Sequence, residues 1–150
     1  MIFDSDYITQ KCEESVSAHL IFLVSNCSYA VETSYVLEIV EIKHVTALPR
    51  TAPYVLGITK IRDTIYSVMD LRIRFDTESE SRSPAEPTVA IVLTYNGTKI
   101  CMVVDKVMAV ADIDLTKASN PAIASHHIRG VVQVNSMKVA LLSIDCLFKD

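Results

Sequence analysis

Apolar and polar positions alternate in short bursts along this chain, and the densest burst runs from Tyr54 to Arg74. There Val55, Ile58 and Ile61 shift register around Gly57, and a polar break falls at Lys60, Arg62 and Asp63. Ile65, Ser67 and Met69 then alternate with Tyr66, Val68 and Asp70. This is the pattern of a strand, a polar turn and a second strand. Asp70 stands at a helix N-cap position ahead of Leu71, Ile73 and Phe75, so a helical turn is predicted to follow. A hairpin that is apolar on both faces needs cover on both, which predicts a barrel or a sandwich rather than an open sheet.

The rest of the chain repeats the theme. Residues 1–17 carry charges and hydroxyls without sustained periodicity and read as a flexible tail. His19 to Val24 and Tyr29 to Glu32 form a first predicted hairpin about Ser25-Asn26. Val36, Leu37, Ile39 and Val40 recur at helical spacing behind Thr33 or Ser34, which predicts a turn or two of helix, with strand as the competitor because Val and Ile are β-branched. Glu41 to Val45 reads as extended, and the prolines at 49 and 53 make a loop. Residues 76–88, rich in charge, Ser and Pro, form a linker between two similar sets of elements. Beyond it, Val89–Leu93 and Lys99–Val104 flank Asn96-Gly97, a pair suited to positive φ. Asp105 to Val110 continues as a bent strand, Asp112 to Ser125 reads as irregular, and Val131–Val134 pairs with Lys138–Ile144 across Asn135-Ser136. Asp145 is the predicted cap of a last helical turn holding Cys146, Leu147 and Phe148. About nine or ten strands with few helical turns predict an all-β fold.

Composition narrows the function classes. The chain has 150 residues, enough for one domain or two small barrels sharing an interface. No apolar run approaches the roughly 18 residues of a membrane span, and the acidic start is unlike a secretory signal, so a cytoplasmic protein is expected. A net charge of −4 without a basic cluster argues against nucleic acid and anionic lipid as partners. Four cysteines, Cys12, Cys27, Cys101 and Cys146, form no CxxC pair, so neither zinc nor a redox motif is indicated and free thiols are expected. With three glycines and no GxGxxG or P-loop pattern, no phosphate cradle is expected. Neither a cofactor nor a metal is implied.

Candidate chemistry is sparse. His126 and His127, with Asp112 or Asp114, are the tightest set of potential ligands or bases, but neighbours on an extended segment point to opposite sides. A loop surface accounts for them better, and a small hydrolase has no GxSxG elbow or other nucleophile motif to support it. Asp63, Asp70 and Glu38 make no convincing carboxylate pair. Arg62 differs, because it sits at the tip of an otherwise apolar hairpin where a guanidinium can fork onto a carboxylate. Val36, Leu37, Ile39, Val45 and Leu48, with Val103, Val104 and Val107, are more apolar positions than one face of each short element hides. They are expected to line either an interface or the seam between two barrels.

The segment YAVETSYVLEIVEIKHVTALPRTAPYVLGITKIRDTIYSVMDLRIRF resembles the CheW family of chemotaxis coupling proteins and the related regulatory domain of CheA-type kinases. The matching pieces are Tyr29-Ala30-Val31, Val36-Leu37-Glu38-Ile39 as a turn of helix, Gly57 to Asp63, and Ser67-Val68-Met69-Asp70-Leu71-Arg72. Val103-Val104-Asp105-Lys106-Val107 and Ile128-Arg129-Gly130 extend the likeness, which spans roughly residues 19–148. Asp63 and Cys101 stand where the family pattern has glycine, and Ser67 where it has proline.

The resemblance implies two five-stranded SH3-like barrels packed together over residues 18–150, with a hydrophobic groove between them. It also implies an adaptor rather than an enzyme, bridging the cytoplasmic tips of methyl-accepting chemoreceptors to the regulatory domain of a CheA-type histidine kinase. By the same resemblance Val36, Glu38, Arg62 and Val107 fall on the receptor side, with an ion pair expected between Glu38 and Arg62. Val45 and Leu48 are assigned to the kinase side from their expected exposure alone. A regulatory domain detached from a larger signalling kinase is the second reading.

Overall fold

The computed structural model describes residues 15–75, 88–119 and 127–148. Among these residues there are ten strands: β1 (Val16–Val24), β2 (Cys27–Glu32), β3 (Val36–Ile42), β4 (Val55–Ile61), β5 (Thr64–Asp70), β6 (Thr88–Tyr95), β7 (Thr98–Val104), β8 (Lys106–Asp114), β9 (Ile128–Val134) and β10 (Met137–Leu142). They form two five-stranded sheets, ordered β3-β6-β7-β5-β4 and β8-β1-β2-β10-β9. Each sheet curls into a small barrel closed by one reciprocal pair of backbone hydrogen bonds. Thr46 and Ile58 close the first at 2.8 and 2.9 Å, and Ser119 and Val131 the second at 2.9 and 2.8 Å. The all-β, two-barrel expectation is borne out.

The order of strands adds what the sequence left open. β1–β5 and β6–β10 are two runs with the same succession of elements, yet they are not the two barrels. The β1–β2 hairpin pairs with β8 and β10, and the β6–β7 hairpin with β3 and β5, so each run lends its first hairpin to the other's barrel. Of the linker expected at 76–88, residues 76–87 lie outside the described residues, as do most of the expected tail and residue His126, and Thr88 opens β6. β1 begins at Val16, inside the stretch read as tail.

This exchange explains why the central strands are apolar on both faces. Alternate residues of β6 point to different cores: Ala90 and Val92 into the first barrel, Ile91 and Leu93 into the layer between the barrels. β1 does the same, with Ile21 in the second barrel and Leu20, Phe22 and Val24 between them. The inter-barrel core also takes Met69, Leu71, Met102, Val104, Leu142, Ile144 and Leu147. Burying such side chains contributes about 1.5–3 kcal/mol each, so the shared layer ties the barrels into one unit. The β4–β5 hairpin, by contrast, ends the first sheet, and its Ile65 is 64% exposed.

Local chemistry fixes the connections. All four two-residue hairpin turns, Ser25-Asn26, Arg62-Asp63, Asn96-Gly97 and Asn135-Ser136, have both central residues at positive φ. That is the turn whose twist matches the flanking strands. Gly57, at φ 147, sits at a bulge where a Cβ would lie 2.1 Å from the Thr46 carbonyl oxygen, so only glycine lets this barrel close. Asp70 caps the short helix Leu71–Phe75 as expected, its carboxylate accepting from the Arg72 N–H at 2.9 Å. At the equivalent place before the helix Ile144–Phe148, the N–H of Leu147 bonds Ser143 O and that of Cys146 bonds Ser143 Oγ. Ser143 is therefore the cap. Asp145 is instead bonded across the barrels, accepting from the Tyr95 hydroxyl at 2.9 Å.

Three further expectations are revised. Val36 to Ile42 is strand, with only a 3-10 turn at Thr33–Tyr35 before it, because pairing with β6 and its buried face outweighs the weak helical spacing. Val103, at 0% exposure, lies inside the first barrel rather than at an interface or the seam, whereas Val104, at 1%, fills the layer between the barrels, one of its two expected places. The segment from Asp112 begins as strand, since β8 runs to Asp114 along β1, and then makes a 3-10 turn at Leu115–Lys117.

Candidate functional site

Glu38 owes its place to register. It pairs with Val92, which pairs with Cys101, which pairs with Val68, and those three side chains lie in the core of the first barrel. Side chains opposite one another across a ladder share a face, so Glu38 points toward the rim of that barrel rather than away from it. Its carboxylate sits 28% exposed above Cys101. Arg62 approaches from the other side. Positive φ at Arg62 and Asp63 (46° and 73°) turns the β4–β5 tip tightly, and the Arg62 Nη2 donates to Glu38 Oε2. The ion pair expected from the sequence is present.

The pair acts on its neighbours. Its hydrogen bond holds the already basic Arg62 further above the usual range. Burial, and then the Glu38 charge, push the Cys101 thiol up to about 12. Cys101 is thus an inert packing residue. Arg62 remains 70% exposed, so most of the guanidinium faces outward while Glu38 holds it. It presents a fixed cation at the barrel rim.

The two valines of the expected receptor side occupy like positions in the two runs, at the start of β3 and of β8. Both are half-buried and pack against the inter-barrel core, so they share a seam without being free surface. Leu37 and Ile39 on β3 stay exposed, as expected. The exposed aliphatics of the second barrel, Val16, Met108 and Val110, were missed; the signal for Met108 and Val110 is the unbroken apolar run 107–111, which a strand with one buried face cannot hide, and Val16 carries no such signal. On the expected kinase side, Leu48 is exposed, whereas Val45 is half-buried against the first barrel's core.

Two of the residues first considered for catalysis make structural contacts. Asp114 accepts from the N–H and hydroxyl of Thr116 at 2.9 and 2.6 Å, which holds its carboxyl below the usual range. The His127 carbonyl accepts from Ser143 N–H at 2.7 Å, tying the entry of β9 to the end of β10.

A double barrel of this kind, with an arginine of a hairpin tip paired to the edge strand's glutamate, is the geometry the resemblance called for. A family model for the CheW-like domain matches residues 18–150. The chain belongs to the CheW-like family. It is 28% identical over 134 residues to the chemotaxis protein CheW of Klebsiella aerogenes, covering 85% of this chain and 79% of that one. The Myxococcus xanthus protein FrzA is 29% identical over 125 residues, with 80% and 76% covered. The scaffolding protein TtCheW from Thermoanaerobacter tengcongensis superposes with a TM-score of 0.76 over 89% of this chain and 88% of that one, at 22% identity, so it shares the fold. As a CheW-like chain, the protein is a coupling adaptor of chemotaxis-type signalling.

Proposed function

We propose that this CheW-like adaptor works in the cytoplasm, where it links the cytoplasmic tips of methyl-accepting chemoreceptors to the regulatory domain of a CheA-type histidine kinase. The observation that carries the reading is the Glu38–Arg62 pair. It fixes a cation at the rim of the first barrel, beside an inter-barrel seam to which Val36 and Val107 both contribute. An amphipathic receptor helix laid along that seam meets aliphatic side chains on β3 and β8 and a guanidinium whose direction is already set. Holding Arg62 in place lowers the ordering cost of binding, and the charge favours one helix orientation. Leu48, with Val45 behind it, is the kinase-facing assignment. Titration calorimetry with a receptor-tip fragment, and separately with a kinase regulatory domain, tests the reading. Binding to both partners through separable substitutions supports it, and binding to neither overturns it.

A further inference from the structure

The first barrel is incomplete on one side. β3 and β4 are the two terminal strands of its sheet; among the described residues they do not pair, and the gap between them is bridged near its two ends. At one end Thr46 and Ile58 exchange backbone hydrogen bonds, with Thr59 Oγ1 donating to His44 O at 2.7 Å. At the other, Arg62 reaches Glu38. Between these clamps the strands part around a cavity of about 440 Å³, within the usual range for ligand pockets. Ile42 and Thr59 form its floor, Ile58, Ile61 and Ile65 its apolar walls, and Lys43 and Lys60 its rim.

The backbone of β4 is offered into this gap. Next to a two-residue hairpin turn, Ile61 and Thr64 are paired across the ladder, and alternation makes Thr59 the next residue directed at β5. Ile58 accordingly turns its N–H and C=O the other way, to Thr46. Lys60, two residues on, turns its N–H and C=O the same way, and among the described residues no strand pairs with it there. An unpaired strand edge beside an apolar cavity is a template for one more strand.

We propose that this gap receives an extended peptide segment of a partner protein, in which aliphatic residues alternate with acidic ones. Such a segment pairs its backbone with Lys60. Its aliphatic side chains point inward onto Ile42 and Ile61, which belong to or pack on the first barrel's core. Its alternate side chains point outward, where Lys43 and Lys60 are exposed on either side and His44 lies beside them. Glu41 is the single carboxylate among the lining residues, and Asp63 approaches Lys60 only at 4.0 Å from a fully exposed position, so the rim favours an anionic strand over a cationic one. The gap is distinct from the inter-barrel seam, and a helix cannot supply the in-line backbone groups that Lys60 requires.

The test uses the full chain, labelled with ¹⁵N, and two blocked pentapeptides, acetyl-Val-Glu-Val-Glu-Val-amide and its lysine counterpart. The expected result is sub-millimolar binding of the glutamate peptide, with amide shifts gathered at Ile42, Lys43, Lys60 and Ile61 and slowed exchange of the Lys60 amide. Lys43→Glu with Lys60→Glu, whose spectrum elsewhere reports a retained fold, lowers that affinity at least tenfold and raises that of the lysine peptide. Absence of shifts at millimolar peptide, equal binding of both peptides, or shifts along β8 and the seam instead would each overturn the proposal. The first two of these outcomes leave the receptor and kinase reading as it stands, whereas shifts along β8 would place the peptide on the seam assigned to the receptor.

Discussion

Arg62 and Glu38 are distant in sequence and come from different strand pairs, yet the guanidinium of one rests on the carboxylate of the other at the rim of the first barrel. Both side chains keep contact with water, and pairs of that kind contribute little to stability. Arg62→Ala is therefore expected to leave the melting temperature nearly unchanged while weakening receptor-tip binding by tenfold or more. The reversed pair, Glu38→Arg with Arg62→Glu, is likewise expected to keep the melting profile and does not restore binding. Calorimetric Kd values for the receptor tip and the kinase domain check both, and an unchanged receptor Kd removes Arg62 from the site.

Val36 and Val107 pack against the inter-barrel core, so a charge at either position damages the fold as well as the seam. Alanine separates the two effects. Val36→Ala and Val107→Ala are each expected to cost about 1 kcal/mol in urea unfolding. They should lower receptor affinity more than kinase affinity, and equal loss of both would mean that the seam is structural only.

Gly57 and Gly97 make contrasting backbone predictions. A methyl at Gly57 meets the Thr46 carbonyl at a distance no real contact tolerates, whereas one at Gly97 meets nothing within 4 Å. Gly57→Ala is expected to open the first barrel, with a loss of about 3 kcal/mol or more and rapid exchange of the Thr46 and Ile58 amides. Gly97→Ala, strained only by its φ of 81°, should cost about 1 kcal/mol. Urea titrations with amide exchange compare them.

Asp63 occupies a turn position at φ 73, and its side chain is fully exposed apart from a 4.0 Å approach to Lys60. Glycine adopts that φ without penalty. Asp63→Gly should raise the urea midpoint slightly and leave the Arg62–Glu38 pair in place. A fall in the midpoint would show that the aspartate supports the turn by some other contact.

Cys101 and the alkaline limit provide a pH test. The folded thiol titrates at about 12 against an ordinary 9.0, so the native state keeps a proton that the unfolded chain releases. Stability from this group is complete below pH 9 and falls as pH rises through the interval up to 12, by at most about 1.4 kcal/mol per pH unit. Tyr29, raised to about 12 mainly by burial, adds in the same direction from pH 10 upward. Urea midpoints measured from pH 8 to 11 should decline, and Cys101→Ala should flatten the first part of the decline. At pH 8, peptide mapping after iodoacetamide treatment should find the exposed Cys27 alkylated and Cys101 intact.

Much of the fold could be read without coordinates. Alternation and paired turn residues located the hairpins about Ser25-Asn26, Asn96-Gly97 and Asn135-Ser136, because those signals depend on residues next to each other in sequence. Asp70 was legible as a cap for the same reason. The 36–40 segment misled because a short apolar stretch fits both periods, and only its pairing with β6 settles which applies. At the other capping site, Asp145 answers to Tyr95 across the barrel interface and leaves the cap to Ser143.

The sequence by itself determined the all-β class, the positions of the turns and the presence of two similar runs of strands, all of which follow from local conformational preference. Through its family likeness it also named Glu38 and Arg62 as partners. Tertiary structure alone decided that each run gives its first hairpin to the other's barrel, and hence which of the many valines and isoleucines are hidden. It also decided that Val103 and Val104 face different cores and that β3 and β4 stay unpaired, the first barrel being closed by the Thr46–Ile58 bridge beyond β3. Strand pairing over long sequence separations is set by the summed burial of faces that no local window contains, and the position of an edge is known only when every other strand has found its neighbour.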